Sequence, residues 1–194
     1  MNIRIATVPV VLDSCVLFQA MIRDTLLRAA EAGLYRVHWS QQILDDTIRN
    51  LLKKNKIKSI EKAEHLIQEM TSAFPDAMVE APPILVAAMT NDTGDRHVVA
   101  AAVNASAQVI VTVNLKHFLK KDLEPWGIEA QTPDIFLTHL YDLAPSLMVN
   151  VIQTQAQDCQ KPVSVPELLE KLNKLAPQFV SRLQSHFFMA ASDF

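Results

Sequence analysis

Two short stretches do most to limit how this chain can fold: "VPVVLD" at 8–13 and "AQVIVTVN" at 107–114. Both are continuous apolar, β-branched runs, the composition of strands buried on both faces. Each runs straight into a polar residue, Asp13 in the first case and Asn114 in the second. An ionised carboxylate is costly to take out of water unless something compensates it. Asp13 at the end of a buried strand therefore asks for a partner elsewhere in the chain.

Helical signals fill the space between strands. From Cys15 to Ala32, apolar residues at Leu17, Phe18, Met21, Ile22, Leu26, Leu27 and Ala30 predict one helix stopped by Gly33. "LYRVHW" reads as a short extended piece. Ser40 is placed to cap the helix "SQQILDDTIRNLLKK", and a further helix is expected over 59–73. "AMVEA" is a candidate second strand, barred from continuing by Pro82-Pro83. "DRHVVAAAVNAS" reads as a buried, alanine-rich helix, "LKHFL" as a helical turn and "GIEAQT" as a last strand. Thr132, Pro133 and Asp134 open another helix, the acid suiting the helix dipole.

After Leu143 the strand signals stop. "APSLMVNVIQTQAQDC" and "SVPELLEKLNKLAPQFVSRLQSHF" read as helices joined by "QKPVS". Ser164 and Glu167 have the spacing of a capping box. Apolar positions including Leu147, Val151, Leu168, Leu172, Phe179 and Leu183 require cover. Strands alternating with helices imply a three-layer α/β/α domain with a mostly parallel sheet, expected over 1–143, and a helical C-terminal region over 144–194. In such sheets, sites gather beyond the carboxyl ends of strands.

Composition removes several alternatives. The 194 residues are 49% hydrophobic and 20% charged, as in globular proteins, and three glycines are few for an all-β fold of tight turns. The net charge of −3 does not advertise a polyanion binder, although a local basic patch remains compatible with one. Cys15 and Cys159 are too few for a disulfide framework or a cysteine-rich zinc site. The apolar runs are too short for a bilayer, and the opening residues lack a leader's layout, so a cytoplasmic protein with no membrane partner is expected.

A parallel sheet can draw together Asp13, Asp46, Asp95 and Asn114. Three carboxylates in one cleft repel one another, and a hard divalent cation, Mg²⁺ or Mn²⁺, reverses that penalty. Histidines and cysteines at zinc spacing are lacking, which disfavours zinc.

The blocks "VVLDSCVLF", "WSQQILDDTIRNLL", "DTGDRHVVAAAV" and "VIVTVNLKHF", in that order, resemble those of PIN-domain ribonucleases, most nearly the VapC-type toxin branch with a helical C-terminal region. The resemblance covers Val8 to Leu140 and extends more weakly to "KPVSVPELLEKL". It implies a Mg²⁺- or Mn²⁺-dependent endoribonuclease with an RNA substrate, a cognate antitoxin and, as in many such domains, a homodimer. Asp13 would be the central ligand, completed by Asp46 and Asp95. Periodicity does not choose between Asp45 and Asp46, and counting from Ser40 as in the family favours Asp46. Asn114 falls where many members carry a fourth acid; an amide can hold a water but cannot act as a base. Ser14 and Thr112 fall where members place supporting hydroxyls.

Each residue also has a plainer reading. Asp13 and Asp95 could be helix-terminal acids, Asn114 a strand terminator, Asp92 a loop cap. Cys15 reads as a small buried hydrophobe. Arg96 is a candidate substrate contact, with His97 beside it as a solvent-facing one. The basic run 49–62, with Lys53 and Lys54, and the group of Lys116, His117, Lys120 and Lys121 are candidate phosphate contacts. A haloacid-dehalogenase-like phosphatase is disfavoured because Cys15 stands where its second Asp belongs. The alternative to an enzyme is an inactive PIN-like module that binds RNA or protein.

Overall fold

The computed structural model describes residues 7–159 and 161–192, with side chains described as far as 187. The first six residues, on which the expectation of no leader rests, Gln160 of the expected linker and the last two residues of the expected C-terminal region lie outside them.

Four strands among the described residues form one parallel sheet: β1 Pro9–Leu12, β2 Arg36–His38, β3 Val109–Val111 and β4 Glu129–Gln131, in the order β2-β1-β3-β4. Val10 pairs with Val37 on one side and Val109 on the other, and Val111 pairs with Gln131. The two apolar stretches thus take the central positions. Val10, Val11, Leu12, Ile110 and Val111 are buried, as strands with neighbours on both edges and helices on the faces must be. With the helices that follow, this is the expected three-layer α/β/α fold.

The helices in chain order are α1 Ser14–Leu17, α2 Ala20–Glu31, α3 Gln41–Lys53, α4 Ile60–Ala73, α5 Pro83–Ala88, α6 Arg96–Asn104, α7 Lys120–Leu123, α8 Pro133–Leu143, α9 Pro145–Asp158, α10 Val165–Leu172 and α11 Pro177–Ser192. The chain divides into two compact units. One holds residues 1–19 and 35–131; the other holds 20–34 and 132–194.

In the first unit, α6 packs on β1 and β3. Ala100, Ala101 and Ala102 are fully buried, and their small side chains let the helix lie close to the sheet. Ser40 caps α3 by accepting from the Ile43 N–H, and Ser59 caps α4 by accepting from Lys62. In the second unit, α8 packs on α11 and α2 on α9. The capping box at Ser164 and Glu167 is formed. Val151, Leu168, Leu172, Phe179 and Leu183 are buried, whereas Leu147 is exposed.

Three elements depart from the sequence reading. The expected helix over 15–32 is two helices, broken at Phe18 and Gln19, and the two pieces belong to different compact units. "AMVEA" is not a strand: it follows the 3₁₀ turn Pro75–Ala77 and makes one bridge, Trp39 to Met78. Two backbone bonds there, Trp39 N–H to Ala77 O and Val79 N–H to Trp39 O, end before the double proline. "LYRVHW", read only as extended, supplies the true second strand.

Candidate acidic site beyond the central strands

Asp13 follows β1 directly, and its N–H still donates to Val111 O, continuing the ladder to β3 by one bond. Its backbone then turns to cap α1. The side chain is 2% exposed, so its charge needs donors. Thr112, itself fully buried, supplies one: its hydroxyl donates to Asp13 Oδ2 at 2.7 Å. The Cys15 thiol supplies another at 2.8 Å. Burial, and then the Asp13 charge, push that thiol's pKa far up, so it remains a protonated donor. Cys15 is buried as expected, and the structure adds this polar duty. Val113 N–H donates to the same sulfur at 3.3 Å.

β3 ends sooner than the apolar run does. The Asn114 N–H folds back to the Thr112 hydroxyl at 3.0 Å, which turns the chain out of the strand. Thr112 therefore accepts from Asn114 and donates to Asp13. Asn114 enters the 3₁₀ turn Leu115–His117, which brings His117 round toward Asp95.

Asp95 closes the 3₁₀ turn Thr93–Asp95, immediately ahead of α6. His117 Nδ1 lies 2.6 Å from Asp95 Oδ2 and 4.0 Å from Asp92 Oδ1. Burial raises the Asp95 pKa above its ordinary value; the His117 bond opposes that rise, and the charges of Asp13 and Asp92 add to it. Ligand atoms of Asp92, Asp95 and His117 all lie within 4.8 Å of one another, close enough to share a cation. Asp92 also caps its own turn, accepting from Gly94 N–H at 3.1 Å. A Cβ at Gly94 would sit 3.3 Å from that oxygen, a tight contact that the Asp92 side chain would have to yield to.

Asp46 and Asp45, adjacent on α3, face different surroundings. Asp45 is exposed and accepts from Gln41 at 2.8 Å. Asp46 is largely covered; Oδ1 lies 2.6 Å from Arg49, and Oδ2 lies 3.5 Å from Nε2 of His97. His97, read from sequence as solvent-facing, is instead 3% exposed because it begins the buried face of α6. Ser14 is buried in α1, and Arg96 donates to Asn91 O at 3.3 Å. Lys53, Lys54 and Lys116 are exposed.

The structure thus brings Asp13 and Thr112 into contact, places Asp95 within electrostatic reach of Asp13, and adds Asp92 and His117 to the cluster. Asp46 is not one of the ligand group of Asp92, Asp95 and His117; its carboxylate lies 3.5 Å from His97, without a hydrogen bond, on the helix that Asp95 precedes. The sequence did carry a signal for His117: "NLKH" is a turn just beyond a strand, which returns its fourth residue toward the strand end.

A parallel sheet with acids collected beyond its two central strands defines an α/β protein of the acid-lined class. The comparisons name the family. The PIN domain matches residues 9–116, and the VapC50 C-terminal domain matches residues 133–185. The chain belongs to the PIN-domain family. A curated protein of Mycobacterium tuberculosis (strain ATCC 25618 / H37Rv), named "Putative ribonuclease VapC50", is 42% identical over 104 residues. That match covers 53% of this chain and 62% of the relative, less than two thirds of its length. No solved structure matches the chain.

Proposed function

We propose that this protein is a metal-dependent endoribonuclease that hydrolyses RNA phosphodiester bonds, and that it is the toxin of a type II pair whose antitoxin restrains it in the cytoplasm. The observation that carries the reading is the buried Asp13 carboxylate, oriented by Thr112 and Cys15 and felt electrostatically by Asp95. Family membership and the name of the relative support the same reading.

The donor set suits Mg²⁺ or Mn²⁺. Carboxylate oxygens match a hard cation, and the His117 imidazole favours Mn²⁺ over Mg²⁺. We assign Asp13, Asp95 and Asp46 to hold it, with Asp92 and His117 beside Asp95. Such a cation, when bound, supplies a water of lowered pKa and positive charge at the phosphate. The side chains do the rest. Thr112 and Cys15 hold Asp13 in one orientation, Ser14 supports the turn that follows it, and Asn114 orients water through its amide. Lys116, Arg96, Lys53 and Lys54 attract backbone phosphates. An inactive binding module is not favoured: the family, the ribonuclease name of the relative and an acidic cluster able to share a cation all support the enzyme reading.

The test is cleavage of a structured RNA in Mn²⁺ by wild type and Asp13→Asn. Cleavage by the wild type, lost on chelation and in the variant, is expected; equal cleavage by both would overturn the assignment. The toxin role is read from induced expression in bacteria. Growth arrest relieved by the cognate antitoxin is expected, and unimpaired growth with abundant soluble protein contradicts it.

A further inference from the structure

We propose that His97 is a positioning residue that aims the Asp46 carboxylate into the acidic site. His97 stands on the first turn of α6, two residues after Asp95. Its side chain is buried, and Nε2 has no hydrogen-bond partner. That nitrogen lies 3.5 Å from Asp46 Oδ2, across the packing of α3 on α6. Burial this deep keeps the imidazole from RNA, so whatever it does is done through a neighbour. An apolar residue would fill the same space without stranding a polar atom, which is costly in a core. The carboxylate is the group that can repay that cost.

Asp46 has two partners of different permanence. Arg49, 2.6 Å from Oδ1, has a side chain 71% exposed. With its guanidinium end in solvent, that ion pair is weakened and Arg49 is free to exchange to other anions, an RNA phosphate among them. His97 is locked in the core and cannot leave. When Arg49 turns to a phosphate, His97 still fixes the direction of the carboxylate. A modest rotation of Asp46 closes 3.5 Å to a hydrogen bond, as such contacts do when a free enzyme takes up its substrate. The geometry requires the Nε2–H tautomer, with the imidazole donating and the carboxylate accepting. The contact itself stands apart from the nuclease reading; its consequence for turnover rests on that reading.

The test uses the full chain, with His97→Phe to fill the space without a donor and His97→Gln to restore an N–H near Nε2. Turnover of RNA in Mn²⁺ is measured together with imidazole ¹⁵N resonances. In His97→Phe, kcat is expected to fall about 10- to 100-fold with KM little changed, and His97→Gln to recover most of it. Wild-type kcat in His97→Phe, or no recovery in a folded His97→Gln, overturns the proposal. The resonances must show hydrogen on Nε2 of His97 and a shift in Asp46→Asn; a bare Nε2 or an unmoved signal also overturns it. If wild type cleaves no RNA, the nuclease reading fails and the resonances decide the contact. They decide it equally if His97→Phe does not fold.

Discussion

At the scale of single residues, the proposed chemistry turns on how a buried carboxylate is kept in place. Asp13 accepts from Thr112 and Cys15, and Thr112 is in turn fixed by Asn114 N–H. Thr112→Val removes the shorter donor while keeping the shape. RNA cleavage is expected to fall about 10- to 100-fold, the usual cost of losing a group that orients a ligand; unchanged cleavage speaks against the relay. Asp95 carries a different signature. Burial first, with Asp13 and Asp92 adding, makes its carboxyl hold a proton to higher pH folded than unfolded. The folded state then binds more protons across that window, so stability falls as pH rises through it. Above the window, the ionised Asp95 is a standing cost. The positions of Asp13 and Asn114 beyond strands and of Asp95 ahead of a helix could be read from sequence, because strand ends and helix starts are local signals. His97 could not, because one imidazole on an alanine-rich helix looks alike whether it faces water or core. Cys15 looked like a hydrophobe because nothing local shows that its thiol meets Asp13 and Thr112.

Elements follow their caps where the caps are local. Gly33, with φ of 79°, ends α2 in a left-handed turn, and Ser40, Ser59 and Thr132 begin their helices as their sequence positions predict. Tertiary packing decides the rest. No breaker at Phe18-Gln19 announces the split between α1 and α2. "AMVEA" has strand composition, yet a 3₁₀ turn before it and two prolines after it leave room for one bridge. Asp134 shows the same limit in another form. It occupies the first turn of α8, as an acid should, but it is buried and accepts from the Phe179 N–H at 3.0 Å. It therefore caps the start of α11, 45 residues away. Asp134→Ala strands that N–H and is expected to cost about 1–3 kcal/mol, read as a lower denaturation midpoint. A midpoint unchanged within error would mean that the cap carries no load.

For the whole molecule, the chain divides into two compact units, and the proposed site draws on one of them. Residues 1–19 and 35–131 carry every acid assigned to the site, and α8 to α11 lie in the other unit with α2. Among the described residues, no helix is long and apolar enough to cross a membrane. The architecture was legible because alternating strand and helix signals leave few topologies for a parallel sheet. The membership of α2 was not, because its sequence is an ordinary amphipathic helix whose buried face does not name its partner.

One arrangement underlies the proposed function: carboxylates from distant parts of the chain brought close enough that a cation relieves their repulsion. Thermal melting of wild type and Asp95→Asn, with and without Mn²⁺ at pH 7, measures that relief directly. Without metal, the variant is expected to melt higher, since it lacks the ionised Asp95. With Mn²⁺ at a hundredfold excess over its Kd, wild type should gain about 2.7 kcal/mol and overtake a variant that scarcely responds. Equal responses of the two proteins to Mn²⁺ would contradict the shared site.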